Sequence, residues 1–394
     1  MRREGDRPPG RVRRRGRGEP RPHQALLDRS DELRRRGDRE GAIEALRRAL
    51  AQEGAAATQA TLLKSIGDLH GEMEQHEHAV EAYTRAVSLD PHLAPAWIAL
   101  GGARERGGDL EAAAACYERA TQSEPPLPSA WNNLGVTLDL LGQQERALEC
   151  FTQASRLSPE SSEVWFNRGN ACVGLQDHDA AVAAYKMALQ HDTDDPRVWF
   201  NLAYAFSRRG DLQAAIAAYR ESLLRQPSDE AAWYNLANVY FDHREFVSAA
   251  VCYQQALRLK PDDHDAWNNL GNCWIELRDV EEAIRCYARS VEAHPTASSS
   301  WNNLGHAWSR LGHQEQAVAC FKEAIRIEEE QAAYYLNRAI AYARLGSSQE
   351  VFADLRKALA LNPLLSDLLP TLPALSPFAQ DPRFKELLGG SAPA

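Results

Sequence analysis

Hydrophobic and polar positions along this chain follow a pattern that returns every 34 residues. If the recurring tryptophan is called position 4 of each repeat, apolar residues stand at positions 4, 7 and 11 and again at 20, 24 and 27. Both runs have the three-to-four spacing of an amphipathic helix, and Gly or Asp near positions 15 and 16 separates them. Each repeat is therefore predicted to be two helices joined by a tight turn. One such hairpin cannot bury both apolar faces, so the repeats must stack.

Particular residue types mark the repeat at five positions. Position 8 is Gly or Ala, position 20 is Ala, position 24 is Phe or Tyr, and position 32 is usually Pro. Tryptophan fills position 4 at Trp97, Trp131, Trp165, Trp199, Trp233, Trp267 and Trp301. We expect the small residues to let paired helices approach closely and the aromatic residues to fill the space between repeats. These residues at this period resemble the tetratricopeptide repeat family.

The pattern and the resemblance together predict an all-α, right-handed superhelical solenoid of about ten helix-turn-helix repeats with a C-terminal capping segment. A weak first repeat is followed by a short insertion near residues 57–59. The predicted repeats are 23–56, 60–93, 94–127, 128–161, 162–195, 196–229, 230–263, 264–297, 298–331 and 332–365. Residues 1–22 are rich in Arg, Gly and Pro and are expected to be disordered. Residues 366–394 are expected to form a capping helix and a tail, because an open stack needs its last apolar face covered.

Charge and cysteine usage narrow the function. The net charge is −10, and the first 23 residues hold nine Arg against three acidic residues, so they carry about +6 and the remainder about −16. A body this acidic disfavours nucleic acid. Five of the seven cysteines share position 23 and no C-x-x-C pair occurs, which favours helix packing in a reducing cytoplasm. No apolar run is long enough to cross a membrane. A cytoplasmic protein with no membrane contact is predicted.

Known catalytic signatures are missing. The sequence has no phosphate-binding loop, no G-x-S-x-G, no H-E-x-x-H and no dinucleotide fingerprint. His70, His76 and His78 form the densest histidine group, and we interpret them as solvated surface residues at a helix end. We therefore predict no catalytic residues, no metal site and no cofactor.

Asparagine occupies position 6 in seven successive repeats. These residues are Asn133, Asn167, Asn201, Asn235, Asn269, Asn303 and Asn337. The family resemblance implies that this position faces the concave side of the superhelix, where the amides would form a ladder similar to the one in the repeat domain of O-linked GlcNAc transferases. An amide offers a donor and an acceptor, so such a ladder suits a peptide backbone. The 29 residues after the tenth repeat cannot hold a glycosyltransferase domain. The alternative is that asparagine is common here for helix packing.

Aromatic residues accompany the asparagines in repeats five to seven. Among the groove positions 2, 5, 9, 12 and 13, aromatic residues stand at positions 5, 9 and 12. They are Phe166, Phe200, Tyr204, Tyr234 and Phe241. They are either the anchor of an interface or ordinary residues of the family. We predict a non-catalytic scaffold that binds a protein or peptide partner through the asparagine ladder. Self-association into a structural assembly, or service as a regulatory or targeting subunit of an enzyme encoded elsewhere, stays open.

Overall fold

The computed structural model describes residues 24–389. These residues belong to two compact units, one ending at His191 and one beginning at Asp192. Residues 1–22, which the sequence predicts to be disordered, lie outside the described residues, as do the last five residues of the predicted tail.

The first unit is a succession of helix pairs. Its helices are α1 (Gln24–Arg35), α2 (Arg39–Gln52), α3 (Ala56–Glu72), α4 (His76–Leu89), α5 (Ala94–Arg106), α6 (Leu110–Thr121), α7 (Pro128–Leu140), α8 (Gln144–Leu157), α9 (Ser162–Gly174) and α10 (His178–His191). Consecutive helices pack on each other throughout. The insertion predicted near residues 57–59 belongs to the first turn of α3, so it lengthens a helix instead of forming a loop.

The second unit continues the same pattern and ends differently. Its helices are α11 (Pro196–Arg209), α12 (Leu212–Arg225), α13 (Glu230–Asp242), α14 (Phe246–Leu259), α15 (His264–Glu276), α16 (Val280–Ala293), α17 (Ser298–Arg310), α18 (Gln314–Ile327), α19 (Ala332–Leu345), α20 (Ser348–Leu361), α21 (Leu365–Leu368) and α22 (Pro382–Gly389). Two short 3₁₀ turns, Leu369–Thr371 and Pro373–Phe378, lie between α21 and α22. The described residues contain no β-strand, and the predicted all-α helix-turn-helix array is confirmed. The right-handed superhelix stays a prediction.

Close contact between paired helices depends on the small residue at position 8. A Cβ added at Gly135 would lie 2.6 Å from the ring of Phe151, and one added at Gly271 would lie 2.5 Å from the ring of Tyr287. Both rings belong to position 24 of the same repeat and are buried. Alanine at position 20, such as Ala147 or Ala283, is fully buried in the same interface. The predicted role of the small residues is confirmed.

The recurring tryptophan joins one repeat to the next through a hydrogen bond that the sequence pattern did not predict. In six repeats the indole Nε1 of this tryptophan donates to the main-chain carbonyl at position 32 of the preceding repeat. The pairs are Trp97 to Pro91, Trp165 to Pro159, Trp199 to Thr193, Trp233 to Pro227, Trp267 to Pro261 and Trp301 to Pro295, all at 2.7–2.9 Å. Thr193 replaces the usual proline without loss of this bond, because the acceptor belongs to the main chain.

The C-terminal segment covers the last helix pair as predicted. Leu369, Leu375 and Phe384 are buried in one core with Phe352 and Leu355 of α20. The guanidinium of Arg383 lies 4.1 Å from the centre of the Phe352 ring. The segment therefore removes from water the apolar face that an open stack would leave exposed.

Candidate functional site

All seven position-6 asparagines lie on the first helix of their repeat and are half-buried. Asn133 and Asn167 belong to the first unit, and the other five belong to the second. We call the side chains at positions 2, 5, 6, 9, 12 and 13 of α11, α13, α15 and α17 the first-helix surface. Within the second unit, α11 contacts α13, α15 contacts α17 and α17 contacts α19, and a hydrogen bond joins Asn269 of α15 to Tyr234 of α13. The asparagines of successive first helices therefore form neighbouring rungs.

Most of these asparagines are already hydrogen-bonded to the repeat before them. Wherever position 5 of that repeat carries a side-chain oxygen, the Nδ2 of the next position-6 asparagine donates to it. The pairs are Asn167 to Asn132 (3.0 Å), Asn269 to Tyr234 (3.0 Å), Asn303 to Asn268 (3.0 Å) and Asn337 to Asn302 (2.8 Å). Phe200 offers no such oxygen to Asn235. The asparagines therefore link repeats, and each linked amide turns its carbonyl away from its partner, since the amide is planar.

A second set of asparagines, at position 9, was missed by the sequence analysis. Asn170, Asn238 and Asn272 each accept a hydrogen bond from the hydroxyl of the position-24 tyrosine in the same repeat, namely Tyr185, Tyr253 and Tyr287. Their oxygens face the second helix, so their amino groups face away from it. The signal was present, because asparagine at position 9 recurs at the repeat period.

Burial keeps the tyrosine hydroxyls on this surface protonated. It raises the pKa of Tyr253 and Tyr287 well above the usual range, and it also raises the pKa of Tyr234. All three hydroxyls consequently stay protonated at neutral pH and remain able to donate.

The predicted aromatic residues pack mainly within their own repeats. Phe166, Phe200 and Tyr234, all at position 5, lie against the position-24 tyrosine of the same repeat, with ring centres 6.1, 5.6 and 5.7 Å apart. Phe241 contacts Phe246 at the start of α14, at 5.3 Å. Tyr204 is the exposed member of the set. Packing thus accounts for part of each position-5 ring, and the role of all five in binding stays a prediction.

Two of the predicted residues meet in one pocket of the second unit. The pocket has a volume of about 340 Å³ and is lined by Asn238, Phe241, Asp242, Tyr253, Asn269 and Asn272. Three amides, a phenol hydroxyl, a carboxylate and one aromatic ring surround this space. It can therefore donate and accept hydrogen bonds beside an apolar surface, which is the chemistry of a peptide contact.

The cysteines and His70 are packed in the interior. All seven cysteines are free and buried, and burial raises the pKa of Cys150 to about 11 and of Cys286 to about 12, so neither is a ready nucleophile at neutral pH. The interpretation of His70 as a solvated residue is wrong. It is buried, its Nδ1 lies 2.6 Å from Gln75 Oε1, and its ring stacks on His78 at 5.2 Å.

Residues 24–389 hold neither a metal-binding cluster nor a membrane-spanning helix. No group of three or more His, Cys, Asp or Glu side chains there is arranged to hold a metal ion. No helix there combines the length and apolar character needed to cross a bilayer.

The paired helices, the small residue facing an aromatic ring and the tryptophan bond at six of the junctions define a tetratricopeptide repeat protein. The family model of the Cilia and flagella-associated protein 70 C-terminal domain matches residues 21–231 and 195–368. The chain therefore belongs to this family, and no catalytic family is indicated. No curated protein matches the sequence as a relative.

Solved structures share the fold. The C-terminal part of a TPR repeat-containing protein from Cytophaga hutchinsonii is 14% identical with a TM-score of 0.52, over 58% of this chain and 94% of that one. Cut9 in the APC/C hetero-tetramer Cut9-Hcn1 is 14% identical with a TM-score of 0.42, over 93% of this chain and 83% of that one. YrrB, described as a TPR protein with an unusual peptide-binding site, is 23% identical with a TM-score of 0.43, over 49% of this chain and 100% of that one. At these identities the similarity concerns the fold alone.

Proposed function

We propose that this protein is a non-catalytic, cytoplasmic scaffold that holds an extended polypeptide on its first-helix surface. The observation that carries the proposal is the row of amides whose orientation is fixed from within the protein. Hydrogen bonds to Tyr234 and Tyr287 turn the carbonyl of Asn269 and the amino group of Asn272 away from their protein partners. One rung thus offers an acceptor and a donor, as a peptide backbone does.

Spacing supports an extended ligand. Packed helices lie about 8–10 Å apart, and a strand rises about 3.3 Å per residue. Successive rungs would therefore meet about every third residue of an extended chain. Asn133 and Asn167 would act in the same way in the first unit.

Charge indicates which peptides are favoured. Asp242 contributes an exposed carboxylate to the pocket, and the chain as a whole carries a net charge of −10. A basic segment would be attracted, and an acidic segment or nucleic acid would be repelled. Phe241 and exposed Tyr204 would add apolar contacts to such a segment.

The experiment changes Asn201, Asn235 and Asn269 together to Ala. Proteins captured from lysate by wild type and by the triple variant are compared, and a peptide from the captured partner is then titrated against both. Each lost hydrogen bond is worth about 0.5–1.5 kcal/mol, so three should weaken binding by about one to three powers of ten. Adding Phe200→Ala and Tyr234→Ala should weaken it further.

A matched control carries three exposed substitutions on second helices, Glu281→Ala, Arg285→Ala and Glu292→Ala, and should bind as wild type does. Circular dichroism checks that both variants fold. Equal binding by a folded triple variant would reject the first-helix surface. The alternative of self-assembly predicts a molar mass that rises with concentration in light scattering. The alternative of a regulatory subunit predicts that an enzyme is the captured partner.

A further inference from the structure

Three large apolar side chains of α12 and α14 lie close together and are exposed to solvent. Leu224 is 75% exposed, Val247 is 64% exposed and Val251 is 50% exposed. All three line one open pocket of about 500 Å³, whose floor includes the buried side chains of Leu236 and Tyr240. We call this surface the second-helix patch. It is made by different helices and different repeat positions from those of the first-helix surface.

The patch is peculiar to the junction of repeats six and seven. Leu224 occupies position 29 and Val247 position 18. Repeats two to nine otherwise carry polar residues at position 29, where repeat ten has the small Ala360, and repeats two to ten otherwise carry polar residues at position 18. At position 29 these residues are Ser88, Gln122, Arg156, Gln190, Arg258, Glu292 and Arg326. At position 18 they are Glu77, Glu111, Glu145, Asp179, Gln213, Glu281, Glu315 and Gln349. Packing of the repeat therefore does not need an apolar side chain at either position.

A related pocket in the first unit shows what the usual residues do. That pocket, of about 610 Å³, is lined by Glu145, Glu149 and Arg156 together with Trp131 and Leu148. Glu145 and Glu149 occupy the repeat positions of Val247 and Val251. Charged side chains thus cover in repeat four the kind of surface that repeat seven leaves apolar.

The charge beside the patch is positive. Arg220 lines the pocket, and its guanidinium lies 5.7 Å from the centre of the Tyr240 ring. Within the described residues it has no carboxylate partner, because neighbouring Glu221 bonds Arg225 instead. Helix α14 holds no acidic residue at all, although the chain has a net charge of −10.

We propose that the second-helix patch binds an amphipathic helix of a partner protein, with leucine-sized side chains along one stripe and a carboxylate beside them. The stripe would enter the pocket between α12 and α14, as helices dock in hydrophobic grooves. The carboxylate would pair with Arg220. Three side chains are too small a surface for a stable pairing of two copies, which needs about 800 Å² on each partner. A helix anchored by one or two side chains suits the pocket better.

The test uses a displayed library of helical peptides of about five turns. Positions i, i+3, i+4 and i+7 vary among apolar residues, and the flanking positions vary among Asp, Glu, Lys and Arg. Selection is made on the full-length protein and, separately, on the variant L224Q/V247E. This variant carries at each position the residue found in repeats five and eight, Gln190 and Glu281, so it should fold. Enriched peptides are then titrated by fluorescence anisotropy.

The proposal expects wild type to enrich peptides with Asp or Glu beside a leucine stripe. These peptides should bind the L224Q/V247E variant at least about tenfold more weakly. Arg220→Glu should shift the preference from acidic to basic flanks. Triple substitution of the first-helix asparagines should leave this binding unchanged, which separates the patch from the proposed function. Failure to enrich any peptide that distinguishes wild type from the variant would overturn the proposal. A wild-type dimer that the variant dissociates would also overturn it, since the occupant would then be a second copy.

Discussion

Repeats six and seven, residues 196–263, differ from repeats eight and nine, residues 264–331, although both follow the same 34-residue pattern. Position 8 is alanine in the first pair and glycine in the second. Position 5 is aromatic in the first pair, with Phe200 and Tyr234, and asparagine in the second. The second helices of the first pair expose Leu224 and Val247, whereas α16 and α18 expose charged residues at those positions.

This difference separates the requirements of folding from those of binding. Both pairs keep the buried leucine at position 7 and the buried alanine at position 20, because the helices cannot pack without them. What changes is the residues that reach the surface on the first helix and on the second. Repeats six and seven carry apolar residues on the first-helix surface and also on the second-helix patch. Both proposed binding surfaces therefore have their apolar part in these two repeats.

The largest expected loss of stability comes from a larger side chain at position 8 of repeat eight, where α15 and α16 are in close contact. Gly271→Leu places a branched side chain where even a Cβ would lie 2.5 Å from Tyr287, and overpacking of this kind typically costs about 1–3 kcal/mol. We expect the thermal midpoint of the second unit to fall, with Gly271→Ala less severe. Gly135→Leu should do the same in the first unit, where Phe151 takes the place of Tyr287.

Ala237→Gly is the matched control. Alanine is already accommodated in repeat seven, so its removal should cost the helix propensity of about 0.5–1 kcal/mol and about 0.8 kcal/mol for the buried methyl group, since Ala237 is fully buried. The measurement is thermal and urea unfolding followed by circular dichroism. If Gly271→Leu melts like wild type, the helices of repeat eight are not in close contact at position 8.

The sequence predicted most of the features that depend on contacts within one repeat. Helix pairing and the close approach at the small position-8 residue follow from residue identities within one repeat, such as Gly271 and Ala283. The cover on α20 follows from the leucine-rich residues after the tenth repeat. The contact between Gly271 and the Tyr287 ring of the same repeat was not predicted, because the position-24 aromatic was expected to fill the space between repeats. Because the sequence repeats every 34 residues, an inference made for one repeat applies to the others. The predicted turn near position 15 was also correct, since Gly108, Gly142, Gly210, Gly312 and Gly346 have positive φ there.

Features that depend on the spacing between neighbouring repeats were not predictable. The bond from Asn303 to Asn268 joins residues 35 apart, and only the packing of α15 against α17 shows that they meet. The same holds for the bond from Trp267 to the Pro261 carbonyl, because the pattern marked tryptophan as a space-filling residue. Residue type alone does not report such contacts.

A double-mutant cycle tests whether the asparagine at position 5 makes repeats eight and nine different. Asn302→Leu removes the acceptor of Asn337, and Asn337→Ala removes the donor. We expect the two substitutions to couple by about 0.5–1.5 kcal/mol in urea unfolding, the usual worth of one hydrogen bond.

The same cycle on Phe200→Leu and Asn235→Ala is the control for repeats six and seven. Phe200 has no side-chain oxygen, so the coupling there should be close to zero. Equal coupling in both cycles would show that position 5 does not set the bonding of the next asparagine.

The smallest effect concerns position 15, where the two pairs of repeats do not differ. Arg244 of repeat seven and Arg278 of repeat eight both have φ of 64°, whereas Gly210 and Gly312 fill this position in repeats six and nine. The left-handed conformation costs roughly 1–2 kcal/mol for a residue with a side chain, and glycine loses about 0.5–1 kcal/mol more on folding through entropy. Arg278 is exposed, so Arg278→Gly should stabilise the protein by at most about 1.5 kcal/mol, the largest difference between these two costs. Arg244→Gly should stabilise the protein in the same way. Equal effects would show that this turn does not depend on the surface residues that differ between repeats six and seven and repeats eight and nine.

Gly312→Ala is the opposite change and should destabilise the protein. The measurement is the urea midpoint of each of the three variants compared with that of wild type. A loss of stability in both arginine variants would show that the arginine side chains stabilise the turn.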